Sequence, residues 1–263
     1  MPGDGSNETI ELDEGQLDAL KRAEEELIDT TPEEAAKLEK FAEDQERVKE
    51  ETETAASIDA LTGFGTRKKF ESDKYTLASI ESREHNGDAS LSVIMIDLNN
   101  LKDWNEKLKF VDSTGSVYEK HKLGDLAIQA FSQATHNSIK RSTDIPYRYG
   151  GDEVVVLMLG SKADSALSFA QRLKENLDEL PGQDKPAVKC CVGLETIDLS
   201  GHISQKEIQA RVDQAILHAD KAADWAKKIK NKQVAEGGPN GTFIETYRPE
   251  MEEVGQSSNS VGT

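Results

Sequence analysis

Residues 147–156 constrain the fold of this chain more than any other segment. Two adjacent glycines, Gly150 and Gly151, lie between arms of apolar, aromatic and β-branched residues. This pattern predicts a β-hairpin, because tight turns between antiparallel strands need positive φ angles, which glycine adopts cheaply. Asp152 and Glu153 follow directly. Like charges beside a turn repel each other unless a hard cation such as Mg²⁺ gathers their oxygens, so the pair is either a solvated turn or part of a metal site.

Length and charge limit the classes of protein to consider. The 263 residues are enough for one sizeable domain with extensions, or for two small domains. The formal net charge is −18, and residues 1–57, with 19 acidic and 6 basic residues, carry −13 of it. No basic stripe is present, so a nucleic-acid partner is not expected, whereas a small anion such as a nucleotide remains possible.

Cysteines and apolar runs predict where the chain resides. Cys190 and Cys191 are adjacent in an apparent strand, where a mutual disulfide would be strained. No apolar run is long enough to span a bilayer, and the first residues lack a basic-then-apolar signal pattern. We therefore expect a cytoplasmic protein without membrane contact.

Periodicity divides the chain into three parts. We predict an acidic helical extension at 1–56, a folded domain at 57–234 and a largely disordered tail at 235–263. The helix at 32–57 is either a dimerisation stalk or a solvated acidic helix. The domain mixes helices with strands around an antiparallel hairpin, which predicts an α+β or mixed α/β class. Helices are predicted at 66–84, from about 100, at 124–140, at 163–180 and within 204–230, and strands at 91–96, 188–194 and 242–246.

Four separated segments follow one known pattern in order and spacing. They are 59–67 (an Asp-x-Leu-Thr-Gly opening), 96–105 (Asp97 followed by Lys102 and Asn105), 123–125 (a Gly-Asp pair) and 150–153 (Gly-Gly-Asp-Glu). Together with a weaker match at 219–227, these segments resemble GGDEF domains over about 58–234. The resemblance implies a central, mostly antiparallel sheet flanked by helices, like that of nucleotidyl cyclases and polymerase palms.

The same resemblance implies a diguanylate cyclase. Two domains of a homodimer would each bind one GTP, and each 3′-hydroxyl would attack the other nucleotide's α-phosphate to give cyclic di-GMP and two pyrophosphates. Asp97, Asp152 and Glu153, with the carbonyl of Leu98, would hold Mg²⁺ or Mn²⁺. Asp152 and Glu153 are also candidate catalytic residues, of which Asp152 would activate the attacking hydroxyl, and Lys102 would neutralise the phosphates.

Substrate contacts are implied residue by residue. Asn105 and Asp125 match the family's guanine-reading pair, since a carboxylate accepts from guanine N1–H and N2–H₂ together, which adenine does not offer. The remaining candidates for substrate binding are His121, Leu101 and Lys227; without the motif, an incidental histidine is the simpler interpretation of His121.

A second site is implied upstream of the hairpin. Arg141 and Asp144 match an Arg-x-x-Asp product-inhibition site, and Arg172 stands where a second product-binding arginine falls. Arginine forks suit bidentate phosphate recognition. The alternative is an ordinary surface ion pair between Arg141 and Asp144.

Departures from the pattern leave two functions open. The segment between Asn105 and Asp125 contains an insertion, and Asn99 replaces a frequent aspartate. Residues 227–232 correspond to the family's Lys-x-x-Gly-Arg-Asn segment, in which Asn231 stands in place of the arginine. Lys230 and Lys232 are candidates to replace that charge. An active cyclase is favoured because the acids are intact; the alternative is a receptor for cyclic di-GMP or GTP without turnover. An altered choice of base is disfavoured by Asp125.

Overall fold

A computed structural model describes residues 57–106 and 108–251, together with Lys37 and Lys40. The predicted N-terminal helices therefore lie outside the described residues. The helices are α1 (Arg67–Glu84), α2 (Leu101–Glu106), α3 (Lys120–Ser138), α4 (Ala163–Glu179), which continues into a 3₁₀ turn (Leu180–Gln183), and α5 (Gln205–Ala235). The strands are β1 (Gly65–Thr66), β2 (Ser90–Leu98), β3 (Lys109–Val111), β4 (Val117–Glu119), β5 (Asp144–Arg148), β6 (Glu153–Leu159), β7 (Cys190–Asp198) and β8 (Phe243–Thr246).

Six strands form the central sheet, in the order β1-β5-β6-β2-β7-β8. Strand β2 pairs antiparallel with β6 and β7, and β5 pairs antiparallel with β6, while the outer pairs β1–β5 and β7–β8 are parallel. Helices cover both faces. The predicted class, a mixed α/β domain with a mostly antiparallel central sheet flanked by helices, is confirmed.

The apolar run of β2 is buried on both faces of the sheet. Successive side chains of a strand point to opposite faces, so alternate residues of β2 enter two separate cores. Ile94 and Ile96 join side chains of α3 and α4, and Val93 and Met95 join those of α1 and α5. Pairing with β6 on one side and β7 on the other fixes the register of β2 and so the position of Asp97 at its end.

Helix α5 lies close against β7 because Gly193 has no side chain. A Cβ at this position would overlap the backbone of Ala219 and Ala223 in α5. The close approach brings the later turns of α5, including Lys227 and Lys230, to the sheet end where β2 stops.

The insertion and the tail both contain regular structure. The segment between Asn105 and Asp125 forms a small β3–β4 hairpin, which runs directly into α3, so this helix begins at Lys120 rather than at 124. The strand predicted at 242–246 is confirmed as β8, within a tail expected to be largely disordered, and Met251 is buried. Both cysteines are buried and unoxidised. In the part of the chain that the structure describes, no helix has the length and apolarity to cross a membrane.

Candidate active site

The turn between β5 and β6 comprises residues 149–152. The N–H groups of Tyr149 and Gly150 both donate to the carbonyl of Glu153, at 2.8 and 3.1 Å. Neither Gly150 nor Gly151 has a positive φ, so the conformational reason predicted for these glycines is wrong. A four-residue loop does not need the left-handed angles of a two-residue turn. Gly150 instead leaves room for the side chain of Glu153, since a Cβ there would lie 2.5 Å from its Oε2 in the present rotamer.

The end of β2 meets the start of β6 at this turn. Asp97 is paired directly with Glu153 in the antiparallel register. The N–H of Leu98 donates to the carbonyl of Asp152 at 2.8 Å, which ties the turn to the end of β2. Directly paired residues of adjacent strands stand about 5 Å apart. The structure therefore brings Asp97, Asp152 and Glu153, which sequence reasoning assigned to one site, to one edge of the sheet.

Lys227 of α5 faces these carboxylates. Its Nζ lies 3.1 Å from Oδ2 of Asp97 and 3.5 Å from Oδ1 of Asp224. Burial opposes the charge of Lys227, but the hydrogen bond to Asp97 outweighs it and raises the lysine pKa above its ordinary value. Lys227, predicted to bind the substrate, therefore contacts a candidate metal ligand in the structure.

Two of the carboxyls hold their protons more strongly than usual. Burial raises the pKa of Asp97, although Lys227 counteracts it, and the charge of Asp152 adds to the rise. Burial also raises the pKa of Glu153, and the charges of Asp152 and Asp97 add to it. Burial is the larger cause, and repulsion between the neighbouring carboxylates adds to it.

The donor atoms at this edge suit a hard divalent cation, since all are oxygens. Within residues 57–106 and 108–251, however, no group of three or more His, Cys, Asp or Glu side chains is already arranged around a metal position. Asp97 instead contacts Lys227, and the carboxylate of Glu153 lies beside Gly150. The residue types fit Mg²⁺ or Mn²⁺, and the side chains of Asp97 and Glu153 would have to reorient to hold it.

The candidate guanine-reading residues lie side by side. A Cβ at Gly124 in α3 would overlap the side chain of Asn105, so these two residues are in close contact. Asp125 follows Gly124 and is exposed, and the exposed His121 lies one turn earlier on the same helix. Residues four apart on a helix share a face. The structure therefore places Asn105 beside the start of α3, next to the helix face that carries Asp125 and His121.

Two further predicted residues lie on the short helix α2. Lys102 is exposed, so its ammonium is free to approach an anion. The side chain of Leu101 is half-buried and packs against the core formed with α3 and α4. Its role in substrate binding stays a prediction.

Arg148 was missed by the sequence reasoning. It binds both carboxylate oxygens of Asp59, at 3.1 and 3.2 Å, and its second amino group donates to the carbonyl of Gly151 at 2.9 Å. Burial alone would raise the pKa of Asp59, but hydrogen bonds from Thr62 and the charge of Arg148 outweigh it and lower the pKa. Arg148 thus fixes the hairpin turn to the loop that contains the Asp-x-Leu-Thr-Gly motif.

The second predicted site is a separate cavity. Nε and Nη2 of Arg141 donate to Oδ1 of the buried Asp144, at 3.2 and 2.9 Å. Nε and Nη2 of Arg172 donate to the carbonyl of Ser138, at 3.1 and 3.0 Å. All three predicted residues line one cavity of about 290 Å³. Since Asp144 pairs with Met158, this cavity lies at the opposite end of β5 from the glycine turn.

A comparison with protein families identifies the domain. Residues 56–233 match the family described as diguanylate cyclase, GGDEF domain. The chain therefore belongs to the GGDEF domain family, and the resemblance found in the sequence is confirmed.

Curated relatives carry names consistent with this family. Diguanylate cyclase DgcS of Shewanella oneidensis is 26% identical over 186 residues, which cover 71% of this chain and 57% of the relative. Probable diguanylate cyclase DgcC of Escherichia coli is 30% identical over 187 residues, which cover 70% of this chain and 44% of the relative. The chain spans about half the length of these relatives.

Solved structures share the fold. The coiled coil and GGDEF domain of DgcB from Caulobacter crescentus, in complex with c-di-GMP, matches with a TM-score of 0.54 at 18% identity, covering 80% of this chain and 98% of that chain. The GGDEF domain of TpbB (YfiN) from Pseudomonas aeruginosa matches with a TM-score of 0.53 at 21% identity, covering 76% and 99%. At these identities the likeness concerns the fold alone.

Proposed function

We propose that this chain is a diguanylate cyclase, which condenses two GTP molecules into cyclic di-GMP and releases two pyrophosphates. The observation that carries the proposal is the pairing of Asp97 with Glu153 across β2 and β6, with Asp152 tied by its backbone to Leu98. The alternative, a receptor for cyclic di-GMP or GTP without turnover, is not favoured because the candidate catalytic residues are all present.

Each half-reaction is a phosphoryl displacement. The 3′-oxygen of one GTP forms a bond to the α-phosphorus of the other, the bond to pyrophosphate breaks, and Asp152 accepts the hydroxyl proton. Lys102 and Lys227 supply positive charge that offsets the charge building on the phosphates. Asp97, Asp152, Glu153 and the carbonyl of Leu98 would hold Mg²⁺ or Mn²⁺, which supplies Lewis-acid polarisation of the phosphate oxygens when bound.

Guanine selection rests on the Asn105–Asp125 pair beside Gly124. The exposed carboxylate of Asp125 accepts from N1–H and N2–H₂ of guanine, and the amide of Asn105 adds a further polar contact. His121, one turn before Asp125, faces the same side and completes the candidate substrate surface.

Two copies of the domain are needed for turnover, because one domain binds only one of the two reacting nucleotides. A homodimer is therefore part of the proposal. The candidate dimerisation stalk at 32–57 lies outside the described residues and contributes no structural support.

Feedback by product is proposed for the cavity at Arg141, Asp144 and Arg172. Its two arginines approach one space of about 290 Å³ from different elements, which suits a ligand with two phosphates. Cyclic di-GMP held there would fix two domains in an orientation that keeps their active sites apart.

Incubation of the purified chain with GTP and Mg²⁺ tests the proposal. Mass spectrometry should identify cyclic di-GMP, pyrophosphate should appear in a ratio of two to one, and the rate per protein should fall on dilution. Absence of cyclic di-GMP at every protein concentration would contradict the proposal.

A further inference from the structure

Lys230 is a buried lysine in α5 to which the proposed chemistry assigns no role. It is 9% exposed, and its Nζ donates to Oδ1 of Asn99 at 3.3 Å. Among the described residues, no carboxylate lies within ion-pair distance of Lys230, whereas Lys227 contacts two. Asp97 is near enough for its charge to interact with that of Lys230, but a buried charge without a carboxylate in direct contact is still costly, and the cost falls when an anion binds beside it.

Asn99 holds this lysine without neutralising it. The amide is almost fully buried, its Nδ2 donates to the carbonyl of Gly241 at 3.3 Å, and its Oδ1 also accepts from the thiol of Cys191 at 3.2 Å. These contacts direct Oδ1 towards Lys230. An aspartate at position 99, as is frequent in the family, would pair with the lysine and cancel its charge, so the asparagine at this position leaves the charge of Lys230 in place.

Lys230 lies beside the chain segment that leads away from the candidate reaction centre. Lys227 contacts Asp97, and Lys230, three residues later on the same face of α5, contacts Asn99. Asn99 lies two residues beyond Asp97, about 7 Å along an extended chain. Lys227 therefore lies beside the end of β2, and Lys230 lies beside the start of the loop that follows it.

Open space borders both sides of this path. Lys230 lines a cavity of about 300 Å³ together with Asn100 and Asn240. A second cavity of about 270 Å³, which Asn99 lines, shares Asn100 and Asn240 with the first. Asn100 itself has a φ of 60° in the left-handed region, which turns the chain between the two cavities.

We propose that Lys230 binds the terminal phosphate of GTP and supplies the positive charge that is missing at Asn231. This inference rests on the proposed function, since it places a guanosine triphosphate at Asp97. Asn231 is exposed and uncharged, and Lys232 is exposed one position further along the helix. Of the two lysines that the sequence offers as substitutes, only Lys230 has a described contact at the end of β2.

The test measures the affinity gained from each added phosphate. GMP, GDP and α,β-methylene GTP, which this reaction cannot cleave, are titrated calorimetrically with Mg²⁺ into the full chain and into Lys230→Met. The substitution keeps an apolar stem in the buried site. The ratio of the affinity for the triphosphate to the affinity for GDP, here called the triphosphate gain, should fall by about ten- to a hundredfold in Lys230→Met. The affinity for GMP should stay unchanged.

A matched control is Lys228→Met, which removes an exposed lysine from the same helix and should leave all three affinities unchanged. Loss of the triphosphate gain in Lys232→Met, with Lys230→Met unaffected, would overturn the assignment. In Asn99→Asp, which retains Lys230 but pairs it with a carboxylate, the triphosphate gain should also fall; an undiminished gain in both Lys230→Met and Asn99→Asp would overturn the proposal.

Because each comparison is made within one protein sample, misfolding would abolish GMP binding too and is recognised at once. Cyclase activity is measured separately, so an active enzyme with an unaltered triphosphate gain contradicts only the role of Lys230. A wild-type chain that binds no guanine nucleotide would contradict this inference and the proposed function together.

Discussion

The hairpin end of the sheet gathers Asp97, Asp152 and Glu153 against Lys227, whereas at the other end of β5 the charges of Arg141 and Asp144 satisfy each other. The two regions lie at opposite ends of the hairpin formed by β5 and β6. At the first, repulsion and burial raise the pKa of Asp97 and Glu153. At the second, both arginines already donate to fixed oxygens of the protein.

The difference indicates two modes of ligand binding. The acidic edge carries an electrostatic cost that a cation and a nucleotide would relieve, so binding there is coupled to a change in side-chain contacts. The arginine cavity is pre-organised, and a ligand there loses little free energy in ordering the protein. We therefore expect substitutions at the edge to abolish turnover, and substitutions at the cavity that leave no buried charge unpaired to change regulation alone.

The largest expected effect is the loss of turnover in Asp97→Ala or Asp152→Ala. Removing a metal ligand and proton acceptor should lower kcat by at least about a thousandfold, since metal-assisted stabilisation contributes several kcal/mol. Circular dichroism should show an intact fold. The contrasting variant Arg172→Ala should keep the initial rate, and a near-native rate in Asp152→Ala would break the comparison between the two regions.

Asp125→Ser should have the next largest effect, on the choice of base. A site that relies on hydrogen bonds loses most of its discrimination when the acceptor is removed, so the preference for GTP over ATP should fall by at least about a hundredfold. Competition assays with both nucleotides measure this ratio. Gln129→Ser, one turn further along α3 and also exposed, should leave it unchanged; equal selectivity in both variants would remove Asp125 from the site.

Product binding should respond to the arginine cavity. Arg172→Ala should weaken the calorimetric affinity for cyclic di-GMP by about ten- to a hundredfold, because it removes a charge-assisted contact. Arg141→Ala alone would leave the buried Asp144 unpaired and destabilise the fold. The double variant Arg141→Ala/Asp144→Ala avoids this problem, and it should also straighten progress curves that bend as product accumulates. Unchanged affinity in both variants would leave Arg141 and Asp144 as a structural ion pair.

The smallest predicted effect is on stability. A carboxyl whose pKa is raised on folding destabilises the folded state above that pKa, and the destabilisation vanishes below the ordinary value of about 4.3. Glu153→Gln should therefore raise the Tm by about 2 °C at pH 7, a modest gain because the side chain is partly solvated. The gain should shrink as pH falls towards 4, and the exposed Glu175→Gln should give none. A lower Tm for Glu153→Gln than for the wild type at pH 7 would contradict the conclusion that the ionised Glu153 destabilises the folded state.

Local patterns predicted the parts of the site that depend on local structure. A buried apolar strand places Asp97 at its end, and the glycine pair places Asp152 and Glu153 at a turn, because strand period and loop chemistry are encoded within a few residues. The reason given for the glycines was wrong, however. Gly150 makes room for the side chain of Glu153, and such packing is not visible in a turn pattern.

Contacts between distant segments were beyond the reach of the sequence alone. Arg148 and Asp59 are 89 residues apart, and Lys230 and Asn99 are 131 apart. Their side chains meet only because the sheet order and the close approach of α5 at Gly193 bring them together. The β3–β4 hairpin escaped prediction because each of its strands has three residues, of which none is fully buried.

The most direct test of the central claim, that this carboxylate edge turns over GTP with a divalent cation, is a removal and add-back experiment. The wild-type chain is freed of divalent cations with EDTA, supplied with GTP, and assayed for cyclic di-GMP before and after excess Mg²⁺ is added, with Asp152→Ala as the control. We predict no product before the addition, rapid formation afterwards, and none in Asp152→Ala. Equal rates with and without the cation, or no cyclic di-GMP under either condition, would contradict the account.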